Sequence, residues 1–542
     1  VNFETFFKQA TDIQDGPYDY QRKLAEEAWP NLLEVPTGMG KTAAVMQAWL
    51  YKRQKQDPDT PRRLVYCLPM RVLVEQTYKN TVRWLERMDW LAGNTEWEKP
   101  DTKEGLITYT ADPEANGIAV HVLMGGEERT DWDIHPEKAA ILIGTQDMFL
   151  SRILNRGYGM SRYRWPMHFG LLNNDSLWVF DEVQLMGTGL ATSVQLQAFR
   201  ESLGTFGQVR SLWMSATLDR SWMRTVDFDP GKLENPLQLD TRDKTRSLTY
   251  SAIKPVQRAT STMDDAKSLA EEVIAAHKPG TRTLVIVNTV NRALEVFKQL
   301  GRKKPEAELV LVHSRFRPAD REEKVRQLLS APGPAGSIIV STQVVEAGVD
   351  VSARTLFTDL SPWASLVQRF GRCNRCGEYA EADAAQVYWL DLPEDEKKQD
   401  ALSRPDEREH LLKARELLKR CNQGVGPAAL ETIDAKLEFH HGHVIRRKDL
   451  IELFDTTPDL AGNDIDIDRY VRDVDDSDVQ VFWREFMEAP DDNEALPRRE
   501  ELCRVRIGMF KDFVEKLGKT DHPKVYRRNW PGVHGCNGCR WL

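Results

Sequence analysis

The chain lacks the marks of a membrane protein or a disulfide scaffold. No run of eighteen apolar residues occurs in its 542 residues, so no stretch is a candidate transmembrane helix. The opening Val1-Asn2-Phe3-Glu4-Thr5 has no charged-then-apolar leader pattern, and the expected location is cytoplasmic, with no membrane partner. Cysteine is scarce. Seven cysteines, an odd number scattered over a long chain, argue against a disulfide framework and fit a reducing compartment. A basic excess is missing too: 74 Lys and Arg against 83 Asp and Glu give a formal net charge of −9, which offers no global support for a nucleic-acid partner. A strand held in a groove between domains needs only local charge, however, and much of the acid lies in the C-terminal third. The 41% hydrophobic content is ordinary for a globular protein, and the length leaves room for about three or four domains.

What is present announces itself at Glu34-Val35-Pro36-Thr37-Gly38-Met39-Gly40-Lys41-Thr42. Glycines at 38 and 40 let the backbone curl until its N–H groups and the following helix dipole meet phosphate oxygens. Lys41 supplies a point charge to the terminal phosphates, and Thr42 a hydroxyl for Mg²⁺. The strict phosphate-loop pattern wants a further glycine at position 35, where this chain has Val35. The spelling Pro-Thr-Gly-x-Gly-Lys-Thr is instead characteristic of superfamily-two helicases. The second half of a nucleoside triphosphate site follows at Val179-Phe180-Asp181-Glu182-Val183-Gln184. There Asp181 is suited to hold Mg²⁺ and Glu182 to position or deprotonate the attacking water.

Apolar strand-like runs alternate with amphipathic helical stretches, at Arg63–Leu68, Ala140–Ile143, Leu177–Phe180 and Ser211–Met214, and again at Leu284–Val287, Leu309–Val312, Ser337–Val340 and Val387–Leu390. Such alternation predicts an α/β fold with two parallel-sheet domains in tandem, RecA-like as the resemblance to superfamily-two helicases implies, followed by a smaller C-terminal accessory domain. The expected boundaries are 1–235 for the ATP-binding domain, 236–392 for the second RecA-like domain and 393–542 for the accessory domain. Turn signals at Asp229-Pro230-Gly231 and Glu234-Asn235-Pro236 mark the first boundary. Charged residues from Pro393 to Gln399 mark the second. The acid-rich Asp464–Asp468 and Asp473–Asp476 lack calcium-loop spacing and read as a solvated edge.

Further motifs fill in the site. Gln21, about twenty residues before Lys41, sits where superfamily-two proteins clamp adenine with an amide. Leu68-Pro69-Met70-Arg71 and Ile143-Gly144-Thr145-Gln146-Asp147 each end a strand and open a helix. Pro69, Arg71 and Thr145 are expected at phosphates of a nucleic acid, although each segment also reads as an ordinary strand-to-helix turn. Gln184 occupies a position usually taken by His or Asp and can still hydrogen-bond Ser215-Ala216-Thr217. In the second half, Ser341–Asp350 offers Thr342 to nucleic-acid phosphate, Gly348 to a close backbone approach and Asp350 to the ribose hydroxyls. Gln368-Arg369-Phe370-Gly371-Arg372-Cys373-Asn374-Arg375 then places two guanidiniums three residues apart. On one helix face, Arg372 and Arg375 would reach the γ-phosphate from the opposite domain. Together with Thr37, Gly38, Gly40, Lys41 and Thr42, Gln368 completes the expected ATP-contacting set.

The combination Asp-Glu-Val-Gln, Thr-Gln-Val-Val-Glu-Ala-Gly-Val-Asp and Gln-Arg-Phe-Gly-Arg-Cys-Asn-Arg closely resembles the helicase of type I CRISPR interference, over about residues 15 to 392. The region beyond resembles that family's C-terminal accessory part. The resemblance implies an ATP- and Mg²⁺-dependent 3′-to-5′ translocase on single-stranded DNA, recruited to an R-loop by an RNA-guided surveillance complex and working with a His-Asp metal nuclease. No histidine here is followed by aspartate, so the nuclease is expected on a separate polypeptide or a segment outside this chain. A general superfamily-two repair or RNA helicase remains an alternative. So does an ATP-gated nucleic-acid clamp without turnover, against which the intact Lys41, Asp181, Glu182, Arg372 and Arg375 speak. Cys373-x-x-Cys376 and Cys536-x-x-Cys539, the latter near His534, have zinc-ligand spacing. Their separation along the chain favours unpaired thiols over one shared metal, with a zinc module begun by the terminal pair and His534 alone as the alternative.

Overall fold

The computed structural model describes residues 1–101, 103–125, 131–216, 218–346, 348–379, 385–404, 406–435, 442–455, 465–472, 478–483, 497–498 and 501–517. The terminal cysteine pair, the acidic run 473–476 and residues 456–464 lie outside them.

All eight strands expected from the apolar runs are present, and they fall into two separate parallel sheets. The first sheet has seven strands in the order Ala119–Leu123, Ala140–Thr145, Arg63–Leu68, Ser176–Phe180, Val209–Ser215, Leu32–Glu34 and Leu237–Gln238. The second has six, in the order Val256–Thr262, Gln386–Asp391, Thr355–Asp359, Arg282–Ile286, Ser337–Ser341 and Glu308–Val312. Central strands such as Arg63–Leu68 and Ser337–Ser341 are buried along their whole length. That is what helices on both faces require, and it is why these strands read as continuous apolar runs.

Two apolar clusters lie on the faces of the first sheet. One gathers Leu64, Tyr66, Ile141, Val179 and Met214 with the helix Lys41–Gln54. The other gathers the alternate residues Val65, Leu142, Trp178, Phe180 and Trp213. The period-two alternation of a strand sends neighbours to opposite faces. On the second face the rings of Trp178, Phe180 and Trp213 stack in series, with centroids 5.5 and 6.1 Å apart. In the second lobe, helix Val290–Lys303 starts at a Thr289 cap whose hydroxyl accepts from the Arg292 N–H, and buries Val290, Ala293, Val296 and Leu300 on one stripe. Lys304, in the left-handed region at φ 48°, ends it.

The boundaries differ from the sequence reading in two places. The first sheet closes with Leu237–Gln238, just past 235. The described residues beyond 392 fall in two compact units. The compact units are Val1–Ser314 with Lys324–Val474, and Arg315–Glu323 with Asp475–Leu542. Within the larger unit, helix Arg408–Arg420 packs on helix Trp363–Phe370 of the second lobe. The segment that follows returns to the first lobe, where Ile445, Leu450, Leu453, Ile467, Tyr470 and Val471 join its apolar core. Composition marks charge at a boundary but not the direction in which the chain turns. In the smaller unit, Asp478–Val481 and Cys503–Arg506 form an antiparallel pair followed by helix Ile507–Leu517.

A polar cluster organises the interior of the second lobe. The Arg369 guanidinium, 1% exposed, donates to Glu346 Oε1 at 2.8 Å, Thr358 Oγ1 at 2.9 Å, the Asp359 carbonyl at 3.1 Å and Asn288 Oδ1 at 2.9 Å. Beside it, Arg292 donates to Asp359 at 2.8 Å. Deleting one member of a buried ion pair strands the other. Arg369→Ala is therefore expected to destabilise the fold by about 3 kcal/mol or more, read as a lower guanidinium unfolding midpoint; a midpoint like that of the parent would contradict this.

Candidate nucleotide site

The phosphate loop leaves the first sheet after Leu32–Glu34 and enters helix Lys41–Gln54. Gly38 and Gly40 have φ of 85° and 80°, a region that side-chain-bearing residues enter at a cost. Val35 stands where the strict pattern has glycine because its side chain is fully buried in the core and its φ is not positive. Its carbonyl instead accepts from Lys41 Nζ at 3.1 Å. Gln21 is buried beneath this loop. Its Nε2 donates to the Gly40 carbonyl at 3.2 Å, and its Oε1 accepts from the Tyr18 N–H at 2.9 Å. Its amide thus braces the phosphate loop.

Asp181 and Glu182 follow the central strand Ser176–Phe180, at the end where a doubly wound sheet presents ligands. Glu182 adopts a left-handed backbone at φ 52° and ψ 47°, strain of the kind that collects at functional sites. Its carboxylate is a meeting point. Oε1 lies 3.5 Å from Lys41 Nζ, and Oε2 accepts from Gln184 Nε2 at 2.6 Å and from Gln368 Nε2 at 2.9 Å. Burial alone would raise its pKa, but Lys41 and these amides together hold it below the usual value. Asp181 goes the other way. Burial and the neighbouring Glu182 charge push it up to about 6, against the pull of Lys41 and of the Tyr66 hydroxyl, which donates to Oδ2 at 2.8 Å. The Thr42 hydroxyl also acts on the Tyr66 phenol, so the two residues expected at Mg²⁺ lie near one phenol. Ser215 Oγ donates to Gln184 Oε1 at 2.7 Å, so a neutral glutamine links the neighbouring strand to Glu182.

The second lobe meets this site at several points. Besides the Gln368 amide, a methyl group added at Gly371 would come within 2.9 Å of Thr37 Oγ1, and one added at Gly38 would lie 3.9 Å from the Arg375 guanidinium. Arg375 therefore reaches the phosphate loop. It pairs with Asp350 Oδ1 at 2.5 Å, so the carboxylate expected at ribose also anchors an arginine. The two arginines do not share a helix face: helix Trp363–Phe370 stops before both, and Arg372 turns inward to donate to the Val345 and Glu346 carbonyls, each at 2.7 Å. Burial, with Arg375 beside it, lowers the Arg372 pKa to about 9. Gly348 does make a close approach, but to the first lobe's helix Arg71–Arg87: a methyl added there would lie 2.6 Å from Val72 Cγ1.

The residues assigned to nucleic acid stand at strand ends of both sheets. Pro69 and Arg71 follow Arg63–Leu68, Thr145 ends Ala140–Thr145, and Thr342 follows Ser337–Ser341. Thr145 and Thr342 are buried. The two residues after Thr145 are engaged by the returning C-terminal segment. Gln146 Nε2 donates to the Val471 carbonyl at 3.2 Å, and Arg472 forms a bidentate pair with Asp147 at 2.7 and 2.6 Å. Sequence spacing gave no sign of Tyr66, since a tyrosine inside an apolar strand looks like core, nor of the Arg472–Asp147 pair, whose partners lie far apart in the chain. Lys41→Ala removes a charge-assisted contact of about 1.5–3 kcal/mol. Binding of a fluorescent ATP analogue, followed by anisotropy, should weaken by roughly ten- to a hundredfold; unchanged affinity would contradict the assignment.

Comparison with known proteins agrees with this geometry. A family model described as DEAD/DEAH box helicase matches residues 18–225, and one described as CRISPR-associated nuclease/helicase Cas3, C-terminal, matches residues 279–378. The chain is 38% identical over 118 residues to the CRISPR-associated helicase Cas3 of Thermoproteus tenax, covering 21% of this chain and 19% of that protein. It is 25% identical over 420 residues to the CRISPR-associated nuclease/helicase Cas3 of Streptococcus thermophilus, covering 69% of this chain and 43% of that protein. Among solved structures, T. fusca Cas3 with AMPPNP superposes with a TM-score of 0.57 at 18% identity, over 80% of this chain and 53% of that one. The matched stretches span less than half of these curated relatives and about half of the solved chain. One lobe carries the match to the DEAD/DEAH box helicase model and the other the match to the Cas3 C-terminal model, around a site to which both contribute, so in both lobes the chain is similar to helicases of the CRISPR-associated Cas3 type.

Proposed function

We propose that this chain is the ATP-hydrolysing motor of a CRISPR interference helicase, moving 3′-to-5′ along single-stranded DNA exposed by an RNA-guided surveillance complex and delivering it to an associated nuclease. The observation that carries the motor reading is the convergence of Gln368 on Glu182 and of Arg375 on Gly38, second-lobe groups on the first lobe's phosphate loop and carboxylate. Hydrolysis divided in this way depends on lobe closure. Charge stabilisation is complete only when the two halves meet, and closure can then be coupled to a strand lying across the ends of both sheets.

The donor set fits Mg²⁺. Thr42 and Asp181 would hold it, the buried Asp181 carboxylate gaining a compensating charge, and the ion would supply charge for the phosphate oxygens. Lys41 faces the phosphates from the loop. Glu182, kept ionised by Lys41 and two amides, is placed to take a proton from, or orient, the attacking water. Arg375 stabilises charge on the transferred group, while Arg372, bound to two carbonyls, supports the loop that presents it. Pro69, Arg71, Thr145 and Thr342 mark the strand path at the ends of both sheets, where contacts to phosphate would track the backbone without reading sequence.

Steady-state ATPase measurements with single-stranded DNA or RNA test this. Hydrolysis is expected to rise with DNA and to fall by about a hundredfold or more in Glu182→Gln, with nucleotide binding retained. Equal stimulation by RNA would overturn the DNA assignment, and an unaffected mutant would overturn the role of Glu182. Because the expected strand contacts are to phosphate, DNA affinity should drop steeply as salt is raised, in a log–log titration; a flat response would argue against a backbone-tracking groove.

A further inference from the structure

The connector between the lobes makes contacts that plain tethering does not require. After helix Thr241–Arg246 the chain runs through Ser247–Pro255 into the first strand of the second sheet, Val256–Thr262. On one side it touches the phosphate loop. Ser247 Oγ lies 3.1 Å from Met39 Sδ, and a methyl added at Gly38 would meet Thr249 Cγ2 at 3.2 Å. On the other it touches the arginine loop. A methyl added at Gly377 would lie 2.5 Å from the Leu248 carbonyl oxygen, and Asn374 Nδ2 donates to the Ile253 carbonyl at 3.2 Å.

Lys254 makes the connector's one buried charged contact with the arginine motif among the described residues. Its side chain is almost wholly buried, and Nζ donates to the Phe370 carbonyl at 3.0 Å. Phe370 is the last residue of helix Trp363–Phe370, so the ammonium caps a helix C-terminus, where unsatisfied carbonyls and the dipole favour a cation. One residue on, Gly371 faces Thr37, and Arg372 and Arg375 follow. No carboxylate within salt-bridge distance compensates Lys254 among the described residues. Burial lowers its pKa to about 8, with Cys373 and Glu378 opposing and Arg375 and Arg372 reinforcing that shift. A lysine kept at such a cost is poor material for simple packing. Asn374, fully buried with a left-handed backbone at φ 44°, completes the grip by exchanging hydrogen bonds with Tyr379 at 2.9 and 3.0 Å.

We propose that the connector 247–255 sets the arginine loop against the phosphate loop, with Lys254 as the positioning residue that fixes where Arg375 arrives. This rests on the ATPase reading above. Lys254 touches no reacting group; it acts through the Phe370 carbonyl and the turn that follows.

The test uses the full chain. Lys254→Met keeps the volume and removes the cap, and Asn374→Gly keeps the left-handed backbone and removes the second tie. Each should lower kcat for DNA-stimulated ATP hydrolysis by about tenfold or more while leaving the KM for ATP within about twofold. Amide hydrogen exchange over residues 369–376 should speed up, with residues 35–42 unchanged. Asn374→Gly carries the test if Lys254→Met does not accumulate folded. A kcat within twofold of the parent, unchanged exchange over 369–376, or KM and kcat moving together would overturn the proposal. If the parent itself lacks turnover, the ATPase reading fails, and the exchange measurement alone decides whether Lys254 orders the arginine loop.

Discussion

A buried carboxylate has to be compensated, and the Glu182 compensation holds the site together. Lys41 comes from the phosphate loop, Gln184 from the turn after the same strand, and Gln368 from the opposite lobe. Two of these donors also fix something else: Lys41 the Val35 carbonyl, and Gln184 the Ser215 hydroxyl. The position of the second lobe is thus written into the hydrogen-bonding of a first-lobe acid. A carboxylate with two amides and an ammonium around it is held toward its ionised form, while burial and that neighbouring charge push Asp181 toward neutrality. Adjacent carboxyl groups given different environments can take different roles.

The two parallel sheets deliver these groups for a simple topological reason. A parallel sheet puts all its strand ends on one side, so the phosphate loop, Asp181-Glu182 and Ser215 share an edge of the first lobe. The second lobe presents Thr342 and the arginine loop from the corresponding side of its own sheet. Glycines appear where the lobes approach each other, Gly348 against Val72 and Gly371 against Thr37, and where the connector meets the arginine loop, Gly377 against Leu248. At those points a side chain would hold the surfaces apart.

Much of this was legible in the chain. Apolar runs such as Leu284–Val287 and Ser337–Val340 mark central strands because both faces are buried, and the phosphate-loop glycines are required by their left-handed backbone. Thr355–Asp359 and Ala119–Leu123 escaped notice because short strands with hydroxyl, acidic or histidine residues look like loops. The hairpin Gly93–Lys99 with Glu104–Ala111 did so because its exposed strands carry mostly polar residues. The arginine motif was recognisable by composition but not by shape. Helical spacing suggested one face, whereas a turn after Phe370 sends Arg372 to backbone carbonyls and Arg375 to Asp350 and the phosphate loop. Gln21 illustrates the same limit, since an amide at the right distance from Lys41 can serve the loop itself as well as a base. Contacts between residues hundreds of positions apart, such as Arg472 with Asp147, leave no local pattern at all.

The return of the chain after helix Arg408–Arg420 has a mechanical meaning. Two lobes joined by one strand of backbone can swing in any direction. Here the connector 247–255 crosses once, and the segment ending at Arg472 crosses back, seating Leu453, Tyr470 and Val471 in the first lobe's core. Bodies pinned at two separate points rotate about the line joining the pins and resist other displacements. Two such ties leave the lobes fewer directions of relative movement than a single tether would.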